Sequence, residues 1–184
     1  MSEIEAPKVA RAVYAGSFDP PTLGHRWVIE AGASVFDELH VAATYNPEKA
    51  GQGRFEIEDR VAMLENIAQD YDNVTVGKFF GQYTVRYALN NGYTHLLRGI
   101  RNSEDMTKEA AQRHINQDLE PSITTFFVSP PRHLTEVSSS LVVGLVGIEG
   151  WEKEVGRYVD SFVLDALKGR LDEQRAKVLG THTS

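Results

Sequence analysis

The sequence predicts an α/β protein built on a doubly wound, five-stranded parallel sheet, and three observations lead there. Short apolar, β-rich runs alternate five times with stretches of helical periodicity. That alternation implies parallel strands joined by right-handed crossovers. No internal repeat or low-complexity linker interrupts it, and 184 residues, 41% of them hydrophobic, suffice for one core. One domain over 1–184 is expected, with a core of about 9–147 and a C-terminal helical extension of about 150–179. The strand order 3-2-1-4-5 comes from the doubly wound topology rather than from a local signal. It places a ligand crevice between strands one and four.

The first strand lies within Val9 to Ala15, where Val13 and Tyr14 favour extended backbone. Trp27, Val28, Ala31 and Val35 then recur at helical spacing, so the ten residues from Gly16 to His25 form a strand-to-helix turn. Gly16 permits a tight turn, and Thr22 can cap a helix that begins near Leu23 or Gly24. A helix start with free N–H groups and no side chain at Gly24 suits an anion. In the first turn, either ring nitrogen of His25 could donate to a phosphoryl oxygen.

Glu38 to Tyr45 reads as a second, buried strand, followed by the polar, glycine-rich and basic loop Asn46 to Arg54, a composition suited to a segment over a site. Ile57, Val61, Leu64 and Ile67 mark a helix, Asn73 to Phe79 a third strand, and Tyr83 to Leu89 a third helix. Thr94 to Leu97 is the fourth strand and ends in Arg98-Gly99-Ile100-Arg101. A polar helix from about Glu104 to Leu119 leads to a fifth strand, Ile123 to Val128. The doubly wound order sets the turn at Gly16 to His25 opposite the turn at Arg98 to Arg101. After a proline-bearing loop, Val137-Ser138-Ser139-Ser140 carries an N-cap signal for a further helix. From Trp151 to Leu179 one amphipathic stretch carries Val155, Val159, Phe162, Val163, Ala166 and Leu167 on an apolar stripe, as a core-packing helix would. Gly180 to Ser184 reads as a frayed end.

Composition excludes several function classes. There is no cysteine, hence no disulfide framework, thiolate metal site or cysteine nucleophile. A net charge of −7 argues against a nucleic-acid partner, but a small anion needs only local cations, for which Lys49, Arg54, Arg98, Arg101 and Arg132 are available. The acidic N-terminus and the lack of a long apolar run lead to the expectation of a soluble, cytoplasmic protein without membrane contact. The six histidines show no metal-ligand spacing, and no Ser/His/Asp arrangement stands out.

Thr22-Leu23-Gly24-His25 resembles the TxGH form of the HxGH signature of the nucleotidyltransferase superfamily, and Gly16-Ser17-Phe18-Asp19-Pro20 resembles the GTFDP stretch before it. The chain is most similar to the phosphopantetheine adenylyltransferases. Arg98-Gly99-Ile100-Arg101 matches their RGLR motif, Val137 to Ser140 their ISSS motif, Asn46 to Lys49 their NPSKK loop, and Gly81 to Ala88 their GLLVDYA stretch. The resemblance implies a Rossmann-like nucleotidyltransferase that joins ATP to 4′-phosphopantetheine with Mg²⁺ accompanying the nucleotide, and a homo-oligomer, typically a hexamer in the bacterial family. It implies His25, Lys49 and Arg98 as catalytic residues. It implies ATP contacts at Ser17, Phe18, Gly24, His25, Gly99, Arg101, Glu109, Ser138, Ser139 and Ser140, and acceptor contacts at Ser17, Lys49, Tyr83, Thr84 and Arg98. Asp19 is the one candidate for a metal contact. The sequence departs from the family at Lys108, where the family has tyrosine, and at Val142-Val143, where a lysine is frequent. Two other readings stand beside this one: the same chemistry on nicotinamide mononucleotide or a polyol phosphate, and a catalytically silent nucleotide-binding module.

Overall fold

The computed structural model describes residues 9–44 and 54–180. Five strands alternate with helices: β1 (Arg11–Gly16), α1 (Leu23–Val35), β2 (Glu38–Thr44), α2 (Ile57–Ala68), β3 (Val74–Phe79), α3 (Thr84–Asn90), β4 (His95–Gly99), α4 (Ser103–Leu119) and β5 (Thr124–Val128). A short 3-10 turn, Arg132–Leu134, precedes α5 (Ser139–Leu145), α6 (Trp151–Val155) and α7 (Ser161–Gly180). All strands are parallel, and their spatial order is β3-β2-β1-β4-β5, the expected doubly wound arrangement. Among the described residues, no helix is long and apolar enough to cross a membrane.

Strand alternation divides β1 between the two faces of the sheet. Ala12 and Tyr14 join the cluster formed with Val28, Ile29, Leu39, Leu64 and Leu97. Val13 and Ala15 join the opposite cluster with Ala42, Val85 and Leu96. Each fully buried aliphatic side chain contributes roughly 1.5–3 kcal/mol, so both faces of the central strand are firmly held. Because helices cover both faces, the central strands β1 and β2 are buried almost throughout, whereas the edge strands β3 and β5 are not.

Register explains where the sheet opens. β1 pairs with β2 along its whole length, from Arg11↔Glu38 to Gly16↔Ala43. With β4 it pairs only at Ala12↔His95 and Val13↔Leu96. Beyond Val13 the two strands diverge, and the crevice at the switch point begins there.

The stretch from Trp151 to Leu179 is not one helix. It breaks at Gly156 to Asp160 into α6 and α7, and Gly156 closes α6. Val155, Val159, Val163 and Leu167 are nonetheless buried together, against Phe55, Met63 and Val142. The break frees the Tyr158 carbonyl, which accepts the Leu23 N–H at 2.8 Å. Arg26 donates to Asp160 at 2.8 Å beside it. The C-terminal segment is thereby fastened to the start of α1.

Candidate active site

The crevice holds a cavity of about 340 Å³ whose wall includes Ser17, Gly24, His25, Arg98, Arg101 and Ser138 to Ser140. Three segments distant in sequence therefore meet, as the doubly wound order requires. Lys49 lies outside the described residues.

His25 occupies the third position of α1, and it forms a reciprocal cap with Thr22. The Thr22 hydroxyl faces the His25 N–H, and the Thr22 N–H donates to His25 Nδ1 at 3.0 Å. An Nδ1 that accepts a backbone N–H is unprotonated, so the ring proton resides on Nε2. Either nitrogen was expected as a donor; the cap leaves only Nε2. Burial, and secondarily the Arg101 charge, push the imidazole down to about 4, so the ring is neutral at physiological pH. Phe18 stacks edge-on to it at 5.1 Å and to Tyr14 at 5.2 Å. Phe18 itself has φ 46°, an uncommon region for a side-chain-bearing residue, and is 1% exposed. Its ring braces the histidine from within the core, which leaves its backbone as the part able to face a ligand.

The start of α1 offers fewer donors than expected. Leu23 N–H goes to Tyr158, Arg26 N–H to the Thr22 carbonyl, and His25 N–H to the cap. Gly24 N–H alone in this turn has no acceptor among the described residues. Glycine is needed there for a further reason: a Cβ at residue 24 would lie 3.3 Å from the Val137 carbonyl. Its absence lets the first turn of α1 approach the loop before α5. Gly99 serves packing in the same way, since a Cβ would sit 2.9 Å from Val28 Cγ2 of α1.

Arg98 spans the divergence of β1 and β4. Its Nη1 donates at 2.9 Å to the Ala15 carbonyl, a group that β4 no longer reaches, and its Nε faces Glu109 Oε2 at 3.4 Å. Arg101 is gripped by Asp105, Nε at 2.8 Å and Nη2 at 3.2 Å, and this two-point contact holds the Asp105 carboxyl below its usual range. Both arginines are thus preset in direction, each by a carboxylate of α4.

Ser138 caps α5 by accepting the Leu141 N–H at 3.1 Å, as its sequence position predicts. Ser139 donates to the Pro20 carbonyl at 2.8 Å and ties α5 to the signature turn. The Ser140 hydroxyl has no partner among the described residues. Asp19 is fixed by donors of the segment that opens α2. Its two oxygens accept the Arg54 and Phe55 N–H groups at 2.8 and 3.0 Å, and Arg60 stands 3.6 Å away. Arg60, 7% exposed, also donates to the Phe55 and Ser17 carbonyls. Sequence reasoning missed it because it lies within the ordinary periodicity of α2. Among the described residues no cluster of three or more metal-ligating side chains exists.

A neighbouring cavity of about 360 Å³ is bounded by Tyr83, Thr84, Gln112 and Asn116, and it shares Arg98 and Glu109 with the first. Arg98 and Glu109 therefore form a common wall between two compartments.

Comparison with known proteins agrees with this geometry. The family model for cytidylyltransferase-like proteins matches residues 13–144. A phosphopantetheine adenylyltransferase of Neisseria meningitidis serogroup C is 46% identical over 157 residues, 85% of this chain and 91% of that protein. One from Chromobacterium violaceum is 43% identical over 164 residues, 89% of this chain and 99% of its own length. The fold is similar to that of Plasmodium falciparum nicotinic acid mononucleotide adenylyltransferase complexed with NaAD, with a TM-score of 0.63 at 14% identity over 86% of this chain and 94% of that one.

Proposed function

The chain belongs to the phosphopantetheine adenylyltransferases of the cytidylyltransferase-like family, and from that membership we propose how its residues divide the transfer of the adenylyl group of ATP to 4′-phosphopantetheine. The reaction gives dephospho-coenzyme A and pyrophosphate, a step of coenzyme A biosynthesis. An oxygen of the acceptor phosphate attacks the α-phosphorus. The bond from that phosphorus to the bridging oxygen breaks, and its electron pair leaves with pyrophosphate. The attacking phosphate is already ionised at neutral pH, so no general base is required. Catalysis is then positioning, on the order of 7–11 kcal/mol for well-aligned reactants, plus donors aimed at charge that grows on the α-phosphoryl oxygens.

His25 Nε2–H and the Gly24 N–H hold those oxygens. The neutral, capped ring fits this role, since it donates a fixed hydrogen bond and has no proton to exchange near pH 7. Arg98 and Lys49 steady the acceptor phosphate, with the pantetheine arm along Tyr83 and Thr84. Ser17, Gly99, Glu109 and the Phe18 backbone border the nucleotide, while Arg101 and Ser138 to Ser140 face the departing phosphates. Mg²⁺, brought in with ATP, would supply neutralisation of the phosphate charge; among the described residues no cluster of three or more carboxylate or histidine side chains would hold it by itself. Single-domain organisation, a homo-oligomer for which the family's hexamer is the reference, and cytoplasmic residence belong to the same reading.

The observation that carries it is the shared wall: Arg98 sits between a cavity framed by the signature turn and one framed by α3 and α4, where two phosphates must meet. Pyrophosphate release from ATP, measured with 4′-phosphopantetheine, nicotinamide mononucleotide and glycerol 3-phosphate in turn, tests the reading. Release with the first alone supports it; preference for another acceptor, or silence with all three, contradicts it.

A further inference from the structure

We propose that Tyr14 of β1, a residue outside the motifs, contacts the nucleotide: its hydroxyl donates to an oxygen of the transferred adenylyl group beside His25, an inference that rests on the adenylyl-transfer reading. By pattern alone Tyr14 is one more buried position of a central strand. Strand alternation turns it toward α1, into the cluster with Val28 and Ile29, and it is 7% exposed. It nonetheless forms part of the wall of the cavity that holds His25, Arg98 and Arg101. The hydroxyl makes no hydrogen bond to a described residue, yet no described polar side-chain atom is both sealed from solvent and unpartnered, so the phenol oxygen opens onto that cavity.

Burial raises the ionisation of the phenol above its usual range, more than Arg98 and Arg101 lower it, so the proton stays on the oxygen at physiological pH. The neighbouring carboxylates are turned to the arginines, Glu109 to Arg98 at 3.4 Å and Asp105 to Arg101 at 2.8 Å. A protonated phenol with no acceptor among the described residues, close to cations that suit a phosphate, is a donor available to a ligand oxygen. The side of the crevice identifies which oxygen. Phe18 stands edge-on to Tyr14 at 5.2 Å and to His25 at 5.1 Å, so the three rings form one row along the α1 side. The compartment bounded by Tyr83, Thr84, Gln112 and Asn116 does not include Tyr14. The hydroxyl therefore serves the adenylyl half of the reaction and adds a second neutral donor to the one His25 supplies.

Tyr14→Phe deletes the oxygen and keeps the ring against Phe18. Calorimetric titration of the full chain with AMP, inorganic pyrophosphate and 4′-phosphopantetheine reads the parts of the site separately. AMP affinity is expected to fall about 10- to 150-fold, the range of a hydrogen bond to a charged group, with the other two ligands within about twofold of wild type. In initial-rate kinetics kcat/KM for ATP should fall in step while the acceptor KM stays unchanged. A role in packing alone would instead weaken all three ligands together and lower the melting point. That result, or an AMP affinity within about twofold of wild type, would overturn the proposal. Pyrophosphate release by the wild-type chain tests the adenylyl-transfer reading separately, since the AMP titration reads the hydroxyl with or without turnover.

Discussion

Replacing His25 by alanine separates what this ring does for the transition state from what it does for the fold. In the proposed arrangement the lost Nε2–H donor would face oxygens whose charge rises only as the α-phosphorus is attacked, and one such donor is worth roughly 2.7–4 kcal/mol, or about 10²–10³ in kcat. ATP affinity should change far less, because the proposed arrangement gives the ground-state phosphates further contacts at Gly24 and the serines. The same substitution removes the Nδ1 acceptor from the Thr22 N–H. That costs about 0.5–2 kcal/mol of stability, and a melting point lower by roughly 2–4 °C per kcal/mol in a chain of this size. The pH dependence gives a second reading. The folded ring titrates at about 4 against an ordinary 6.5, so between those values the unfolded chain binds the extra proton and stability falls as pH is lowered. The shift corresponds to about 3 kcal/mol, absent in the variant, whose melting point should fall less steeply from pH 6.5 to 4. Steady-state pyrophosphate release and ATP titration measure the first part, scanning calorimetry the second. Equal losses in kcat and ATP affinity, or a wild-type kcat inflection near pH 6.5 that the variant lacks, would refute the reasoning.

Arg98→Ala should lower kcat/KM for both substrates about 10- to 150-fold, and Arg98→Lys should fail to restore it, because lysine cannot hold Ala15, Glu109 and a phosphate with one planar fork; initial-rate kinetics in both substrates decide this. Asp19→Ala strips the Arg54 and Phe55 N–H groups of their acceptor and leaves buried Arg60 without its carboxylate. A loss of about 3 kcal/mol in denaturant unfolding is expected, and a loss under 1 kcal/mol contradicts the assignment of Asp19 as a clamp. Gly99→Ala drives a methyl against Val28 and should cost about 1–3 kcal/mol. In a Val28→Ala background the penalty should shrink, a coupling that a double-mutant cycle measures directly.

The architecture was readable because each strand carried its own short apolar run and each helix its own period, signals that need no knowledge of distant residues. Thr22 as a cap and Ser138 as a cap were readable for the same reason. What escaped depended on partners far along the chain. The Leu23 N–H is spent on Tyr158, which no local pattern in the signature turn could reveal. Nothing near Asp19 in the sequence shows that its two oxygens accept the Arg54 and Phe55 N–H groups, some 35 residues on. Arg60 sat in the α2 pattern with no sign that its guanidinium would be buried. The break between α6 and α7 did leave a trace, a glycine at 156 followed by Asp160-Ser161, the usual close of one helix and opening of the next. The apolar stripe hid it, because Val155, Val159 and Val163 stay on one side of the core across the break.

The central claim is that one neutral histidine donor, set by its cap, meets the α-phosphate where β1 and β4 part. A crystal structure of the chain with a non-hydrolysable ATP analogue measures it directly. The account predicts an α-phosphoryl oxygen within about 3.2 Å of His25 Nε2, with the β- and γ-phosphates facing Arg101 and Ser138 to Ser140. An α-phosphate bound elsewhere on the sheet edge, with His25 Nε2 facing only protein or water, would contradict it.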